Sequence, residues 1–120
     1  SQDPTVLVDV AHNISGFEYL ALQIEKLNYN NLHIILGFVK GKKIKELLDF
    51  LPSRANLYFT QPSIFGGMGQ EELSRNIGKN FNFDKNPGSQ FLKVKEIASK
   101  DDLIIITGSN FLINDIIDNE

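Results

Sequence analysis

Three polar side chains, Asp9, His12 and Asn13, fall within the short run Asp9, Val10, Ala11, His12, Asn13, Ile14, Ser15, Gly16. A carboxylate, an imidazole and a carboxamide at this spacing can bind or move protons and order a polar ligand. The run follows a β-branched, apolar stretch over 5–10 and precedes residues with helical spacing, so it lies where a strand hands over to a helix. The free N–H groups at a helix start favour an anion there. The same residues have plain structural uses: Asp9 as a loop cap, His12 as a surface residue, Asn13 or Ser15 as an N-cap. Residue type alone does not choose between these uses; position at the mouth of a sheet is what favours chemistry.

Three other loops compete for attention. Gly37, Phe38, Val39, Lys40, Gly41, Lys42, Lys43 also runs from strand to helix with Gly and Lys, yet it is not a P-loop. Three residues separate its glycines where a phosphate cradle needs four, and Lys43 stands where Ser or Thr would hold a metal ion. What survives is a positive patch of Lys40, Lys42, Lys43 and Lys45 beside the first strand, with Lys42 a candidate for an anion, or else a solvated helix start. Gly66, Gly67 and Gly69 would permit close backbone approach to a ligand, but the segment reads first as a mobile loop. Gly108 and Ser109 follow the most apolar stretch and offer a hydroxyl and free N–H groups, or a simple N-cap.

The elements that must position these loops follow from periodicity. A strand over 5–10 reads as buried on both faces. From Phe17, apolar residues at Leu20, Ala21, Ile24 and Leu27 make a helical stripe. A strand over 32–36, a helix through Ile44, Leu47, Leu48 and Leu51 ended by Pro52, and a strand over 56–60 come next. A helix carrying Leu73 and Ile77, a weak strand near 81–83, a helix through Phe91, Leu92, Val94 and Ile97, a strand over 102–107 and a last helix over 111–117 complete the chain. Strands alternating with helices imply an α/β fold: a Rossmann-like, doubly wound, mainly parallel sheet of about five strands flanked by helices, with 1–120 as one domain. Ligands of such sheets bind at the carboxyl ends of the strands, where all four loops lie.

Composition narrows the class. The 120 residues, 42% hydrophobic with nine Phe and no Trp, suit a globular domain able to fold alone. Twelve basic against fifteen acidic residues leave a net charge of -3, which argues against nucleic acid or an anionic membrane as partner. The lack of Cys excludes a disulfide framework and fits the cytoplasm. No apolar run approaches the ~20 residues of a membrane helix, and no leader is expected. There is no Gly-x-Gly-x-x-Gly after the first strand, no Gly-x-Ser-x-Gly elbow, and no readable metal site. A receiver domain would want Asp at the end of the third strand, where Tyr58, Phe59 and Thr60 stand. His33 falls inside a strand, which favours a buried, pairing role.

The run from Pro4 to Asn13, with its Asp-x-Ala-His-Asn, resembles the start of the C-terminal domain of folylpolyglutamate and dihydrofolate synthases, in the Mur ligase superfamily. The resemblance continues through 33–39, 59–62, 71–73 and 97–112 with its Gly108, Ser109, x, Phe111, Leu112. Departures are Ile14 for the usual Pro or acid, Gly41 to Lys43 for an Asp-Lys-Asp, and Phe65 to Gly67 for a Pro-Arg-Ala. The resemblance implies an ATP-dependent ligase in which an N-terminal ATPase domain of the same protein activates a folate or pteroate carboxylate, and glutamate attacks it. It implies that this chain is the closing lid, inactive alone and binding no cofactor tightly, in a protein that uses ATP and Mg²⁺ and works as a monomer. By the same resemblance Asp9 contacts nucleotide, His12 and Asn13 order nucleotide and amino acid, and Ser109 holds glutamate. The alternative is a non-catalytic Rossmann-like domain that binds an anion or a protein.

Overall fold

The computed structural model describes residues 3–117. Its elements alternate along the chain: β1 (Thr5–Val8), α1 (Ile14–Glu25), β2 (Leu32–Gly37), α2 (Lys45–Leu48), β3 (Asn56–Thr60), α3 (Gln70–Ile77), β4 (Asn82–Asp84), α4 (Pro87–Ile97), β5 (Leu103–Thr107) and α5 (Asn110–Ile117). The strands form one sheet in the order β1-β5-β2-β3-β4, and every pairing is parallel. This is the expected α/β Rossmann-like sheet.

Two apolar layers hold it together, and strand alternation decides which residue enters which. Ile34, Leu36, Phe59, Leu103 and Ile105 face one side with Phe17, Leu20 and Ile24 of α1, Leu47 of α2 and Leu73 of α3. Ile35, Tyr58, Ile104 and Ile106 face the other, against Phe91 and Val94 of α4 and Leu112 and Ile116 of α5. Helices therefore cover both faces. All residues of β2 and β5 are buried, as strands in the middle of a doubly covered sheet must be.

β1 corrects the sequence reading. Its four residues are all exposed, although their composition suggested burial on both faces. Strand order gives the reason: β1 lies at the sheet edge, so only β5 flanks it. Other stripes shift in smaller ways. Leu27 lies past the end of α1 and is exposed, as are Leu92 and Ile97 on the outer side of α4. α2 is a single turn, yet Ile44, Leu47 and Leu51 are still buried.

The amino ends of the strands are tied by a buried polar cluster. His33 Nε2 donates to Asp102 Oδ2 at 3.0 Å, and His33 Nδ1 lies 2.8 Å from the Tyr58 hydroxyl. Asp102 also accepts from the backbone of Ser99 and from the backbone and side chain of Asn31. Burial pushes the Asp102 carboxyl up, but the hydrogen bonds from Ser99, His33 and Asn31 together outweigh it and hold the group below its ordinary value. Burial and the neighbouring Asp102 charge raise the Tyr58 hydroxyl. His33 thus has the buried pairing role its place in a strand suggested.

Candidate functional site

Because all strands run the same way, the loops after β1, β2, β3 and β5 open onto one edge. The loop after β1 is held there from within and from below. The amide of Asp9 donates to the carbonyl of Ile106 at 2.9 Å, and Asp9 Oδ1 accepts from the amide of Ala11 at 2.7 Å. The carbonyl of buried Ala11 then accepts from the amide of Gly108 at 3.0 Å and the hydroxyl of Thr107 at 3.3 Å. One oxygen of Asp9 is consequently spent on shaping the loop.

His12 is exposed, with Nδ1 3.0 Å from the carbonyl of Val10. A carbonyl can only accept, so Nδ1 carries a proton and Nε2 is left facing solvent. Asn13 is the N-cap of α1, its Oδ1 accepting from the amide of Gly16 at 2.9 Å. A Cβ at Gly16 would lie 3.1 Å from Ala11 Cα and 3.3 Å from Asn13 Oδ1, which explains glycine at this tight entry. Capping is therefore one of Asn13's uses, and its amide N–H groups are left for other partners.

Lys42 reaches across to this loop: its Nζ donates to the carbonyl of His12 at 3.0 Å. Together with Lys43, Ser15 and Glu46 these residues line a groove of about 410 Å³ at the start of α1. The lysine patch does not act as one surface, since Lys40 instead lies 5.9 Å over the ring of Phe65. Ser109 is buried, one residue before α5, and its carbonyl accepts from the amide of Leu112 at 3.2 Å. So His12, Asn13 and Lys42 line one groove, whereas Asp9, at the start of the same loop, and buried Ser109 are not among its lining residues.

The glycine-rich segment is not the mobile loop expected. Its backbone pairs with the loop after β2, Lys40 donating to Gly66 and Met68 to Phe38, both at 2.7 Å. Met68 and Phe38 are buried beneath it. A Cβ at Gly67 would meet the carbonyl oxygen of Pro62 at 2.1 Å, so the glycine there serves packing.

Sequence reasoning missed Thr107 and the contact of Gly108 with Gly37. Gly108 has φ +111, and a Cβ on it would lie 2.4 Å from the carbonyl oxygen of Gly37. The available signal was a glycine at the end of each of two central strands.

Taken chemically, the edge offers two ammonium groups, an amide and the open N–H groups of a helix start, donors suited to phosphate or carboxylate oxygens, with an imidazole beside them. Among the described residues no group of three or more His, Asp or Glu could hold a metal ion. No helix among them is long and apolar enough to cross a membrane.

Known proteins resemble this chain in sequence and in fold. The dihydrofolate synthase/folylpolyglutamate synthase of Buchnera aphidicola subsp. Schizaphis graminum is 25% identical over 118 residues, covering 93% of this chain and 28% of that protein. Its counterpart from Buchnera aphidicola subsp. Acyrthosiphon pisum is 28% identical over 115 residues, with 93% and 28% covered. The chain thus spans little more than a quarter of the length of these curated relatives. Among solved structures, E. coli FolC in complex with ADP superposes with a TM-score of 0.85 at 23% identity, over 98% of this chain and 29% of that one. E. coli FolC in complex with DHPP and ADP gives 0.84 at 24% identity, with the same coverage. The family model for the Mur ligase glutamate ligase domain matches residues 1–110, and the chain belongs to that family.

Proposed function

We propose that this chain is the C-terminal, glutamate- and nucleotide-binding lid of a longer ATP-dependent ligase that adds L-glutamate to dihydropteroate, tetrahydrofolate or both. The observation that carries this reading is the bond from the Lys42 ammonium to the His12 carbonyl, which holds a positive charge against the loop that carries the imidazole at the start of α1. Membership of the glutamate ligase domain family supports it.

Each residue then has a task compatible with its geometry. Lys42 and the open amides at the start of α1 bind phosphate oxygens of ATP. His12 Nε2 accepts a hydrogen bond or a proton from the amine of glutamate, while Nδ1 stays fixed on Val10. Asp9 keeps the loop in shape with one oxygen and meets the nucleotide with the other. Asn13 donates its amide to substrate, and Ser109 holds glutamate. Mg²⁺, when bound, would neutralise phosphate charge; among the described residues no group of three or more His, Asp or Glu offers it a site. Closing this wall over the N-terminal ATPase domain orients the amine and keeps water from the activated carboxylate. On this reading the isolated chain is an inactive, weakly binding monomer, and the parent a cytoplasmic enzyme.

The test is a coupled assay on the full-length parent with ATP, glutamate and dihydropteroate or tetrahydrofolate. ADP release that requires both other substrates is expected; release independent of them overturns the reading. A non-catalytic anion-binding domain would instead bind ATP or polyglutamate tightly by itself, which calorimetry on the 120-residue chain reads directly.

A further inference from the structure

A second groove opens on the same edge of the sheet as the His12 loop. Its volume is about 510 Å³, and it reaches from Lys40, in the loop after β2, to Gln61 and Lys85, which directly follow β3 and β4. α3 closes one side, where Glu71, Glu72 and Arg75 fall at helical spacing. Strand order sets the two grooves on opposite flanks of the loop after β2, with β1 and β5 on one side of β2 and β3 and β4 on the other. Lys42 lines the His12 groove and Lys40 lines this one. Two residues of chain span at most about 7 Å, so the grooves share that loop as a wall.

The charges in this groove are not spent on the fold. Lys40, Arg75 and Lys85 are exposed, and none of them forms an ion pair among the described residues. Lys85 stays unpaired even though Asp84, next to it, holds Lys93 at 2.8 Å. Glu72 is engaged: its Oε2 accepts from the amide of Gly41 at 2.8 Å, which fastens α3 to the shared loop. Glu71 and the carboxamide of Gln70 are exposed on the rim.

Such a mixed lining selects among anions. A compact polyphosphate would crowd its charge against Glu71 and Glu72. A chain whose carboxylates alternate with amide groups finds a partner for each part: ammonium and guanidinium groups for the carboxylates, Glu71 for an N–H, Gln70 for a carbonyl.

We infer that this groove binds the polyglutamate tail of a folate substrate, and that the parent lengthens a tail already present. This rests on the ligase reading above. Each turn of that reaction consumes one carboxylate in forming an amide bond and brings two with the incoming glutamate, so the tail gains one amide and one net negative charge. The shared wall sets that tail beside the residues assigned to the next glutamate.

Kinetics of the parent with tetrahydrofolate carrying one or three glutamates is the first test. The double variant R75M/K85M should raise KM for the triglutamate ~10-fold, the worth of two exposed charge contacts, and leave KM for the monoglutamate, KM for ATP and the melting temperature unchanged. R75K/K85R should keep the wild-type values. An unchanged KM for the triglutamate, or equal changes for both substrates, overturns the inference. The second test is free of activity: γ-linked pentaglutamate at ~1–10 mM, added to the 120-residue chain, should shift the amide resonances of Gly67, Arg75 and Lys85. The shifts should vanish in R75M/K85M and fade toward ~1 M salt. No shift by ~10 mM, or equal shifts from inorganic triphosphate, overturns the inference as well. Groove shifts beside a parent without ligase activity would keep the tail site and remove the proposed function; an active parent whose triglutamate KM ignores the variant would do the reverse.

Discussion

The ammonium of Lys42 donates to the carbonyl of His12 across 3.0 Å, joining the loop after β2 to the loop after β1 although β5 lies between those strands. The contact is exposed, so it contributes little to stability, at most ~1 kcal/mol. Its weight falls on ligand binding. Lys42→Met in the parent should leave the melting temperature within ~1 °C and raise KM for ATP ~10-fold or more, the worth of one charge-assisted hydrogen bond. Steady-state kinetics with an unchanged KM would remove Lys42 from the site.

His12 and Asp9 should show themselves in turnover. His12→Ala or Asp9→Ala in the parent is expected to lower kcat/KM at least ~100-fold through lost orientation of the reactants. Asp9→Asn separates two duties, because an amide oxygen can still accept from Ala11. If that variant keeps near-normal rates, Asp9 acts only by shaping its loop.

The carboxyls of Asp102 and Asp84 should set the acid limit of stability. The Lys93 ammonium and the Ser89 hydroxyl hold Asp84 down to about 2, and Asp102 also lies below its ordinary value. A carboxyl with a lower pKa when folded stabilises the fold above the unfolded value, and that contribution fades as pH falls through the folded one. Melting temperature should therefore hold above about pH 4 and drop between about pH 4 and 2. Asp102→Asn, which places an amide N–H₂ among the donors of Asn31, His33 and Ser99, should cost about 3 kcal/mol at neutral pH and flatten that drop. Thermal unfolding across the pH range reads both effects.

Two glycines that both have positive φ should respond differently to alanine. Gly78 has φ +90 with open space around it, and Gly108 has φ +111 with the Gly37 carbonyl oxygen 2.4 Å from the added Cβ. Gly78→Ala is expected to cost about 1 kcal/mol and Gly108→Ala more than ~3 kcal/mol, because the second adds a backbone clash to the same strain. Denaturant titration giving equal losses would contradict the close approach of the loops after β2 and β5.

Thr60, at the end of β3, buries a hydroxyl that has no hydrogen-bond partner among the described residues. Thr60→Val keeps the shape and removes the polar atom, and should stabilise the chain by about 1 kcal/mol. A loss of stability in the same titration would mean the hydroxyl is satisfied.

Most of the architecture was legible because β2, β3 and β5 and the helix stripes at Leu20, Ile24, Leu73 and Val94 carry strong periodic patterns. β1 shows where composition stops. Val6, Leu7 and Val8 look like Ile104, Ile105 and Ile106, and only strand order, a property of the whole sheet, leaves the first group exposed and the second buried. The loop at Asp9 was legible as a polar cluster before a helix. The Thr107–Ala11 bond and the reach of Lys42 were not, since they join residues 96 and 30 positions apart. The glycines at 66–69 misled for a related reason: glycine permits motion and close packing alike, and the pairing of Lys40 and Met68 decides for packing.

The carbonyl of Ala11, held by both Gly108 and Thr107, makes the strand-end loops a single stiff plate before any ligand arrives. On the lid reading proposed above, such a plate would swing as one piece, and the speed of closure would be governed by the joint between domains. Changes within the plate would alter how well a reactant is gripped, and changes at the joint would alter how often the grip is tried.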